Sequence, residues 1–233
     1  MKIYSNEKLI KRNKFLSRVT LILGLGFMGF SFLTLLNAEV NSTVFIPSLI
    51  AGAIGIILAT INIPLSSRFG VSPRPDEMIS TALKGLDNSY SLFHYTTPIP
   101  HLLAGPNGIW LFNTYVVQGK VKYDVSKKKW KLIKSGRFFS KMFGTEGLGN
   151  PTLEADATLI DFVKLSKNIP EITGLPDPIS VAVFISKEIT LETDGSPIPA
   201  VVLEKLKLLV RRSPELPEDQ KNSVKELIKI LTV

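Results

Sequence analysis

Two long uncharged stretches constrain this chain more than any other feature. No charged residue occurs between Val19 and Ala38 or between Val44 and Ile63. Each stretch has about the 20 residues that an α-helix needs to cross the hydrocarbon core of a bilayer. The sequence therefore predicts two transmembrane helices joined by a tight turn around Glu39, and it argues against a fully water-soluble chain.

The basic residues around these stretches predict their orientation. Residues 1–18 carry six basic side chains and one acidic side chain, and Arg68 and Arg74 follow the second stretch. Positive flanks stay on the cytoplasmic side of a membrane. We therefore expect a multi-pass plasma-membrane protein with both termini cytoplasmic: a basic segment over 1–18, a transmembrane hairpin over 19–64 and a cytoplasmic domain over 66–233. A signal peptide is the alternative for the first stretch, but the residues around Ala38 form a poor cleavage site.

Small residues in the two stretches would let the helix backbones approach closely. They are Gly24, Gly26 and Gly29 in the first stretch, and Ala51, Gly55 and Ala59 in the second. Neither stretch contains an ionisable side chain, which argues against an ion path or a proton relay. The two helices are therefore predicted to act as an anchor.

Two residue counts exclude several kinds of site. The chain has no cysteine, so it has no disulfide, no thiol nucleophile and no zinc site with cysteine ligands. Its two histidines, His94 and His101, are too few for a histidine-rich metal centre. We predict neither a metal nor another cofactor.

Beyond the second stretch, short alternating elements replace the continuous apolar runs. The pattern predicts a helix starting at Pro75, then strands, then a helix over Leu153–Leu165. The apolar stripe of this last helix consists of Leu153, Ala157, Ile160 and Val163 and is widened by Leu159 and Phe162. A further strand and two amphipathic helices follow. This order is typical of an α/β or α+β domain with a mixed sheet, and its core is expected to be complete within 66–233.

The central motif of the domain is a predicted β-hairpin. The turn sequence Gly105, Pro106, Asn107, Gly108 lies between two apolar segments. Proline presets the backbone at the second turn position, and glycine accepts the left-handed conformation. For a two-residue loop, the numbers of paired residues add up to 213. Pro100 is then expected to lie opposite Asn113.

The stretch from Ile99 to Tyr115 resembles the core of the nuclease-related domain (NERD) family. Gly119, Trp130 and the pair Asn150–Pro151 also fall where that family tends to have them. The resemblance covers about residues 75–212 and implies a restriction-endonuclease-like fold, with a mixed sheet flanked by helices and preceded here by the two transmembrane helices.

The resemblance also implies where a catalytic site would lie. Active folds of this kind use an Asp on one strand and a Glu-x-Lys on the next, because two carboxylates hold a divalent cation. The matching positions here are Pro100, Asn113 and Tyr115. None is anionic, so nuclease chemistry is expected to be absent, with no catalytic and no metal-binding residue. A carboxylate relocated from a helix, Glu77 or Glu154, is the alternative that would restore part of a site.

A cluster of basic residues over 120–141 is the remaining candidate site. Nine basic side chains and one acidic side chain lie within these residues, with Tyr123 and Trp130 among them. Three partners are open for this cluster: phosphates of a nucleic acid, anionic lipid headgroups, or water alone. The basic side chains are Lys120, Lys122, Lys127, Lys128, Lys129, Lys131, Lys134, Arg137 and Lys141.

These features together predict a membrane-anchored, catalytically inactive nuclease-like domain, a pseudoenzyme, that acts as a binding module at the cytoplasmic face of the membrane. Two alternatives remain open. One is an active metal-dependent nuclease with a relocated site. The other is a membrane scaffold that binds other proteins, whose identity the sequence does not give.

Overall fold

The computed structural model describes residues 1–37, 43–133, 147–170 and 172–232. The chain divides into two compact units. One unit comprises residues 7–74, and the other comprises residues 1–6 together with 75–233.

The first unit is a helical hairpin. Helix α1 spans Glu7–Asn37 and helix α2 spans Phe45–Leu65, and a π-helical turn, Ser66–Gly70, follows α2. Two helices of the described chain are long and apolar enough to cross a membrane. Only 11% of the apolar window of the first and 22% of that of the second is buried, whereas a core helix of a water-soluble protein is mostly buried.

The two helices of this unit pack closely where Gly24 faces Gly55. A Cβ atom added to Gly55 would lie 3.0 Å from the carbonyl oxygen of Gly24 and 2.9 Å from the backbone nitrogen of Met28. No atom of the described residues lies within 4 Å of a Cβ added to Gly26 or Gly29. The close approach predicted for the small residues therefore holds at Gly24 and Gly55, and not at Gly26 and Gly29.

A polar contact also joins α1 and α2. The Asn62 side-chain oxygen accepts hydrogen bonds from the hydroxyls of Ser17, at 3.1 Å, and Thr20, at 3.2 Å. Asn62 and Ser17 are both buried. A buried polar group needs a partner, so this hydrogen bond favours one register of the two helices.

Within the described residues, the second unit contains two sheets and four helices. The larger sheet has six strands in the order β1 (Lys2–Ser5), β2 (Ser91–His94), β3 (His101–Gly105), β4 (Gly108–Tyr115), β7 (Ile179–Phe184) and β9 (Ala200–Val202). The smaller sheet has the order β6 (Lys129–Ile133), β5 (Gly119–Asp124) and β8 (Ile189–Glu192). The helices are α3 (Pro75–Ala82), α4 (Pro151–Lys167), α5 (Leu203–Arg212) and α6 (Glu218–Leu231).

The larger sheet is mixed, which confirms the predicted α/β class. Strand β3 is antiparallel to both of its neighbours, whereas β1 pairs with β2, β4 with β7, and β7 with β9 in parallel. Five of the six strands therefore point the same way. Their carboxyl ends lie at one end of the sheet, which we call the carboxyl end.

Helices cover both faces of the larger sheet. On one face, residues of α3 and α5, such as Ile79 and Leu206, pack with Leu103. On the other face, residues of α4 and α6, such as Phe162 and Leu227, pack with Leu102 and its neighbours. Consecutive residues of β3 point to opposite faces of the sheet and so reach different cores. The unit is therefore a three-layer α/β/α arrangement.

Strand β1 was not expected from the sequence. It runs parallel to β2, with Lys2 opposite Ser91, and the Tyr4 ring stacks on Phe93 with ring centroids 5.1 Å apart. Residues 2–5 therefore belong to the sheet and not to a separate basic segment. The core expected within 66–233 is correspondingly incomplete, because residues that precede the first apolar helix contribute a strand to it.

The predicted centre of the apolar stripe of α4 is wrong, because Leu153, Ala157, Ile160 and Val163 are all exposed, whereas the predicted contribution of Phe162 to the buried face is confirmed. Leu153 and Ile160 are 63% and 54% exposed, whereas Ala155, Thr158 and Phe162 are buried. The helix is turned so that Thr158 hydrogen-bonds to the polar residue Asn113 of the sheet, and Phe162 enters the core beside it. Tertiary hydrogen bonding thus decides which face of the helix is buried.

The predicted hairpin is confirmed, including its register. Leu102 lies opposite Leu111 and Gly105 lies opposite Gly108, so the paired residue numbers add up to 213. The Tyr90 hydroxyl donates to the Asn107 side-chain oxygen at 2.5 Å, and the Asn107 amide donates to the Ser213 carbonyl oxygen at 2.5 Å. The Asn107 side chain therefore fixes the turn to the linker between α5 and α6.

Burial and the nearby carboxylates of Asp87 and Glu215 raise the pKa of Tyr90. The phenol therefore stays protonated and donates to Asn107 throughout the neutral range. We expect Asn107→Ala to lower the free energy of unfolding by about 2 kcal/mol, because it leaves the Tyr90 hydroxyl and the Ser213 carbonyl without this partner. Urea titration followed by tryptophan fluorescence measures this change. Asn222→Ala, at an exposed position on α6, is the control, and an equal effect from both variants would contradict the assignment.

Candidate functional site

The structure brings two of the three positions matched to the family's catalytic residues to one face of β4. Asn113 and Tyr115 both point toward α4, where they hydrogen-bond to Thr158 and Glu154. The ladder between β3 and β4 extends as far as the pair Leu102–Leu111, so Pro100 lies beyond it, in the bend before β3. The carbonyl oxygen of Pro100 accepts a hydrogen bond from the backbone of Tyr95 at 2.9 Å.

The side chains of Asn113 and Tyr115 are engaged in hydrogen bonds with their neighbours. Thr158 donates to the Asn113 oxygen at 2.9 Å, and the Asn113 amide donates to the Ser180 hydroxyl at 3.1 Å. The Tyr115 hydroxyl donates to the Glu154 carboxylate at 2.9 Å. These bonds join β4 to α4 and β7, so the cluster holds the helix on the sheet.

Glu154 is the relocated carboxylate that the sequence raised as an alternative, and it reaches one of the matched positions. Glu77 is on α3, whose buried side chains pack on the other face of the sheet. Within the described residues, no three or more His, Asp or Glu side chains are placed to hold a metal ion. Active sites of the kind that the resemblance implies use two carboxylates, whereas Glu154 supplies one, which accepts a hydrogen bond from Tyr115.

The lysine cluster lies on the hairpin formed by β5 and β6. Strand alternation turns Val121 and Tyr123 inward, where both are buried. The lysines at alternate positions are on the outer face, and others are in the turn. The outer-face lysines are Lys120, Lys122, Lys129 and Lys131, the turn lysines are Lys127 and Lys128, and Lys134, Arg137 and Lys141 lie outside the described residues.

Two lysines of the outer face are neutralised by carboxylates. Lys120 forms an ion pair with Glu192 of β8 at 2.5 Å, and Lys131 forms one with Asp124 at 2.7 Å. The hydrogen bonds from Lys131 and Ser126 hold the pKa of the Asp124 carboxyl well below its usual range. The hydrogen bond from Lys120 lowers the pKa of Glu192. Both carboxylates therefore remain ionised well below neutral pH, and both pairs persist there.

The other lysines of the described hairpin have no such partner. Among the residues that the structure describes, no carboxylate forms an ion pair with Lys122, Lys127, Lys128 or Lys129. The last three are consecutive and exposed, in the turn and at the start of β6. We call Lys127, Lys128 and Lys129 the lysine tip. Its three positive charges remain free to bind an anion.

The aromatic residues of the hairpin do not share its exposed face. The rings of Tyr123 and Trp130 contact each other with centroids 5.1 Å apart. The Trp130 ring nitrogen donates to the Thr152 hydroxyl in the first turn of α4 at 2.9 Å. These rings hold the small sheet to the domain and do not form a platform on which bases stack.

A buried polar chain was not found from the sequence. His94 and His101 lie opposite each other in β2 and β3, with their Nδ1 atoms 2.8 Å apart. The Ser80 hydroxyl lies 2.9 Å from Nε2 of His94. Both histidines are 1% exposed, so this chain of hydrogen bonds connects α3 to the sheet. The two histidines are paired by the register of β2 with β3, which the sequence did not predict.

The fold and the side chains define an α/β domain with a lysine-rich hairpin, in a chain that also has two helices long and apolar enough to span a membrane. Comparison of this chain with known protein families, with curated proteins and with solved structures found no match.

Proposed function

We propose that this chain is a membrane-anchored, non-catalytic nuclease-like module that binds an anionic partner at the cytoplasmic face of the plasma membrane. The single observation that carries the proposal is the lysine tip, which is exposed and has no carboxylate partner among the described residues. Charged residues that are not needed for folding favour a role in binding.

The polar cluster under α4 supports the non-catalytic part of this proposal. Asn113 is hydrogen-bonded to two neighbours, and Tyr115 donates to Glu154. A nuclease of the family that the sequence resembles needs two anionic ligands and a lysine at these positions. The mixed sheet flanked by helices supports a fold of the restriction-endonuclease type.

The anchoring part is supported by α1 and α2. Over their uncharged stretches the two helices expose many large apolar side chains, among them Ile22, Phe32 and Ile57, each more than half exposed. In water such a surface would be costly, whereas in a bilayer it faces lipid. Strand β1 and the sheet belong to the same unit, which supports the proposal that residues 1–6 and the domain lie on the same side of the membrane.

The binding proposal is tested with the full chain in a zwitterionic detergent and a fluorescent DNA duplex as a generic polyanion. We expect an affinity that falls steeply with added salt, because binding releases counterions from the phosphates. Changing the lysine tip to glutamate (Lys127→Glu, Lys128→Glu and Lys129→Glu) is expected to weaken binding about 100-fold at low salt, since six units of charge are altered. Fluorescence anisotropy measures both effects.

A control with the same charge change separates a local surface from net charge. Lys167→Glu, Lys205→Glu and Lys225→Glu alter three exposed lysines on α4, α5 and α6. This variant is expected to bind within a few-fold of the parent chain. Equal weakening by both triple variants, or no binding by the parent chain, would overturn the proposal. Metal-dependent cleavage would favour a relocated nuclease site, and membrane cross-linking to other proteins without anion binding would favour a scaffold.

A further inference from the structure

We infer that the anion bound by the lysine tip is the headgroup surface of an anionic lipid leaflet, the one in which the helical hairpin of this chain is anchored. This inference rests on the proposed function and names its partner. It is carried by three features of the second unit: the end of the sheet at which the tip lies, an exposed apolar residue in the tip, and the inward position of the aromatic rings.

The smaller sheet lies at the carboxyl end of the larger one. Strand β4 ends at Tyr115, four residues before β5 begins. Strand β7 ends at Phe184, five residues before β8 begins. Both chain segments therefore enter the smaller sheet from the carboxyl end of the larger sheet.

The chain also enters α1 from this same end. Strand β1 is parallel to β2, and its last residue, Ser5, lies opposite His94 at the carboxyl end of that strand. The backbone nitrogen of Asn6 donates to the His94 carbonyl oxygen at 3.0 Å, and α1 begins at the next residue, Glu7. The chain thus leaves β1 for α1 at the same end of the larger sheet at which it enters the smaller sheet.

The hairpin turn combines an apolar side chain with the lysine tip. Val125 precedes Ser126 and the three lysines, and it is 59% exposed. An exposed apolar residue next to lysines suits the boundary between lipid headgroups and acyl chains, where the apolar group enters the hydrocarbon and the ammonium groups meet phosphates. A nucleic acid offers no apolar layer that would bury this valine.

The aromatic rings favour the same partner. Proteins that bind single-stranded nucleic acid stack bases on exposed aromatic rings, but Tyr123 is buried, and the Trp130 ring nitrogen is bonded to Thr152. The exposed side of the hairpin therefore offers point charges and one apolar side chain. Each lysine near an anionic leaflet strengthens binding roughly fivefold, so the tip as a whole strengthens it on the order of 100-fold.

A fluorescent label beside the lysine tip of the full chain tests the inference. The chain has no cysteine, so Val125→Cys provides one attachment site for an environment-sensitive nitrobenzoxadiazole dye. The labelled protein is reconstituted into nanodiscs of phosphatidylcholine alone, or of phosphatidylcholine with phosphatidylserine. We expect a blue shift and a several-fold rise in emission with phosphatidylserine, together with quenching by spin-labelled lipid, and a reversal of both by salt.

Two control proteins show whether the fluorescence response is specific to the lysine tip. A dye on Arg212→Cys, exposed at the end of α5, reports the opposite end of the sheet, because the adjacent Ser213 is bonded to the β3–β4 turn. It is expected to show neither shift nor quenching.

Adding Lys127→Glu, Lys128→Glu and Lys129→Glu to the tip-labelled protein is expected to abolish the response, whereas the control triple variant at Lys167, Lys205 and Lys225 retains it.

The outcomes separate this inference from the proposed function. An unchanged tip emission in both lipids, with duplex binding that still depends on the lysine tip, would overturn the lipid partner and leave the anion-binding module standing. An unchanged emission with no lysine-dependent duplex binding would overturn both. An equal response in both lipids would also overturn the inference, because it would show that anionic headgroups are not recognised.

Discussion

Deleting Lys2–Ser5 is expected to lower the free energy of unfolding of the α/β unit by about 4 kcal/mol. The deletion removes a parallel ladder to β2, worth about 1 kcal/mol for each hydrogen bond lost. It also removes the Tyr4 ring from the face of Phe93, worth about 2 kcal/mol. The edge of β2 that β1 covers would then be exposed, which favours aggregation.

Urea titration of the full chain in detergent measures this change in the free energy of unfolding. Both tryptophans, Trp110 and Trp130, belong to the α/β unit, so their fluorescence reports that unit alone. Two point variants locate the effect within the strand. Tyr4→Ala is expected to account for about half of the loss, whereas Ile3→Ala, at a position 48% exposed, is expected to change stability by less than about 0.5 kcal/mol. Unfolding of the deletion variant at the same urea concentration as the parent chain would contradict the role of β1.

Gly105→Val is expected to destabilise the same unit by about 3 kcal/mol. A Cβ atom at Gly105 would overlap the Tyr90 ring, which packs against this strand. Tyr90 would have to leave its place beside Trp110 and give up its hydrogen bond to Asn107. The turn, the core and the linker after α5 would be disturbed by one substitution.

The control for this prediction is Gly147→Ala, because in the part of the chain that the structure describes no atom lies within 4 Å of a Cβ added at Gly147. The same urea titration is expected to place Gly147→Ala within about 0.5 kcal/mol of the parent chain. A Gly105→Val chain as stable as this control would show that the Tyr90 ring adjusts without loss and would refute the close packing of the turn.

The parts of the fold that could be predicted from the sequence are those specified by local pattern. The β3–β4 hairpin has a turn sequence that restricts its loop to two residues, and this loop length determines which residues of the two strands pair. Strand β1 was missed because four residues directly before a long helix have no pattern of their own, and their pairing with β2 joins positions 89 residues apart. Local periodicity does not report such a pairing.

Helix α4 shows a different limit of the sequence. Its spacing predicts a helix, which is confirmed, but it also predicts burial of the stripe with more large apolar residues, and the centre of that stripe is exposed. The buried stripe contains Thr158, whose hydroxyl bonds to Asn113 on the sheet. A polar residue at the centre of a helix face is ambiguous until its partner on another element is known.

The residues of the candidate sites could be predicted from the sequence, but their partners on distant elements could not. The sequence located Asn113, Tyr115 and the lysines, and it named Glu154 as a possible relocated carboxylate. It did not show which lysines are neutralised, because Glu192, the partner of Lys120, lies 72 residues away on β8. Only the tertiary structure distinguishes paired lysines from the free lysines of the tip.

The central claim is that this chain binds anions without cleaving them, and one measurement tests it directly. The full chain in detergent is mixed with a duplex labelled at one end, in the presence of Mg²⁺ or Mn²⁺, and the sample is read by anisotropy and then on a denaturing gel. We expect a bound and intact duplex, with binding lost when the lysine tip is changed to glutamate. Cleavage that disappears in Glu154→Gln or Asn113→Ala would contradict the claim and would show that the polar cluster under α4 is a working active site.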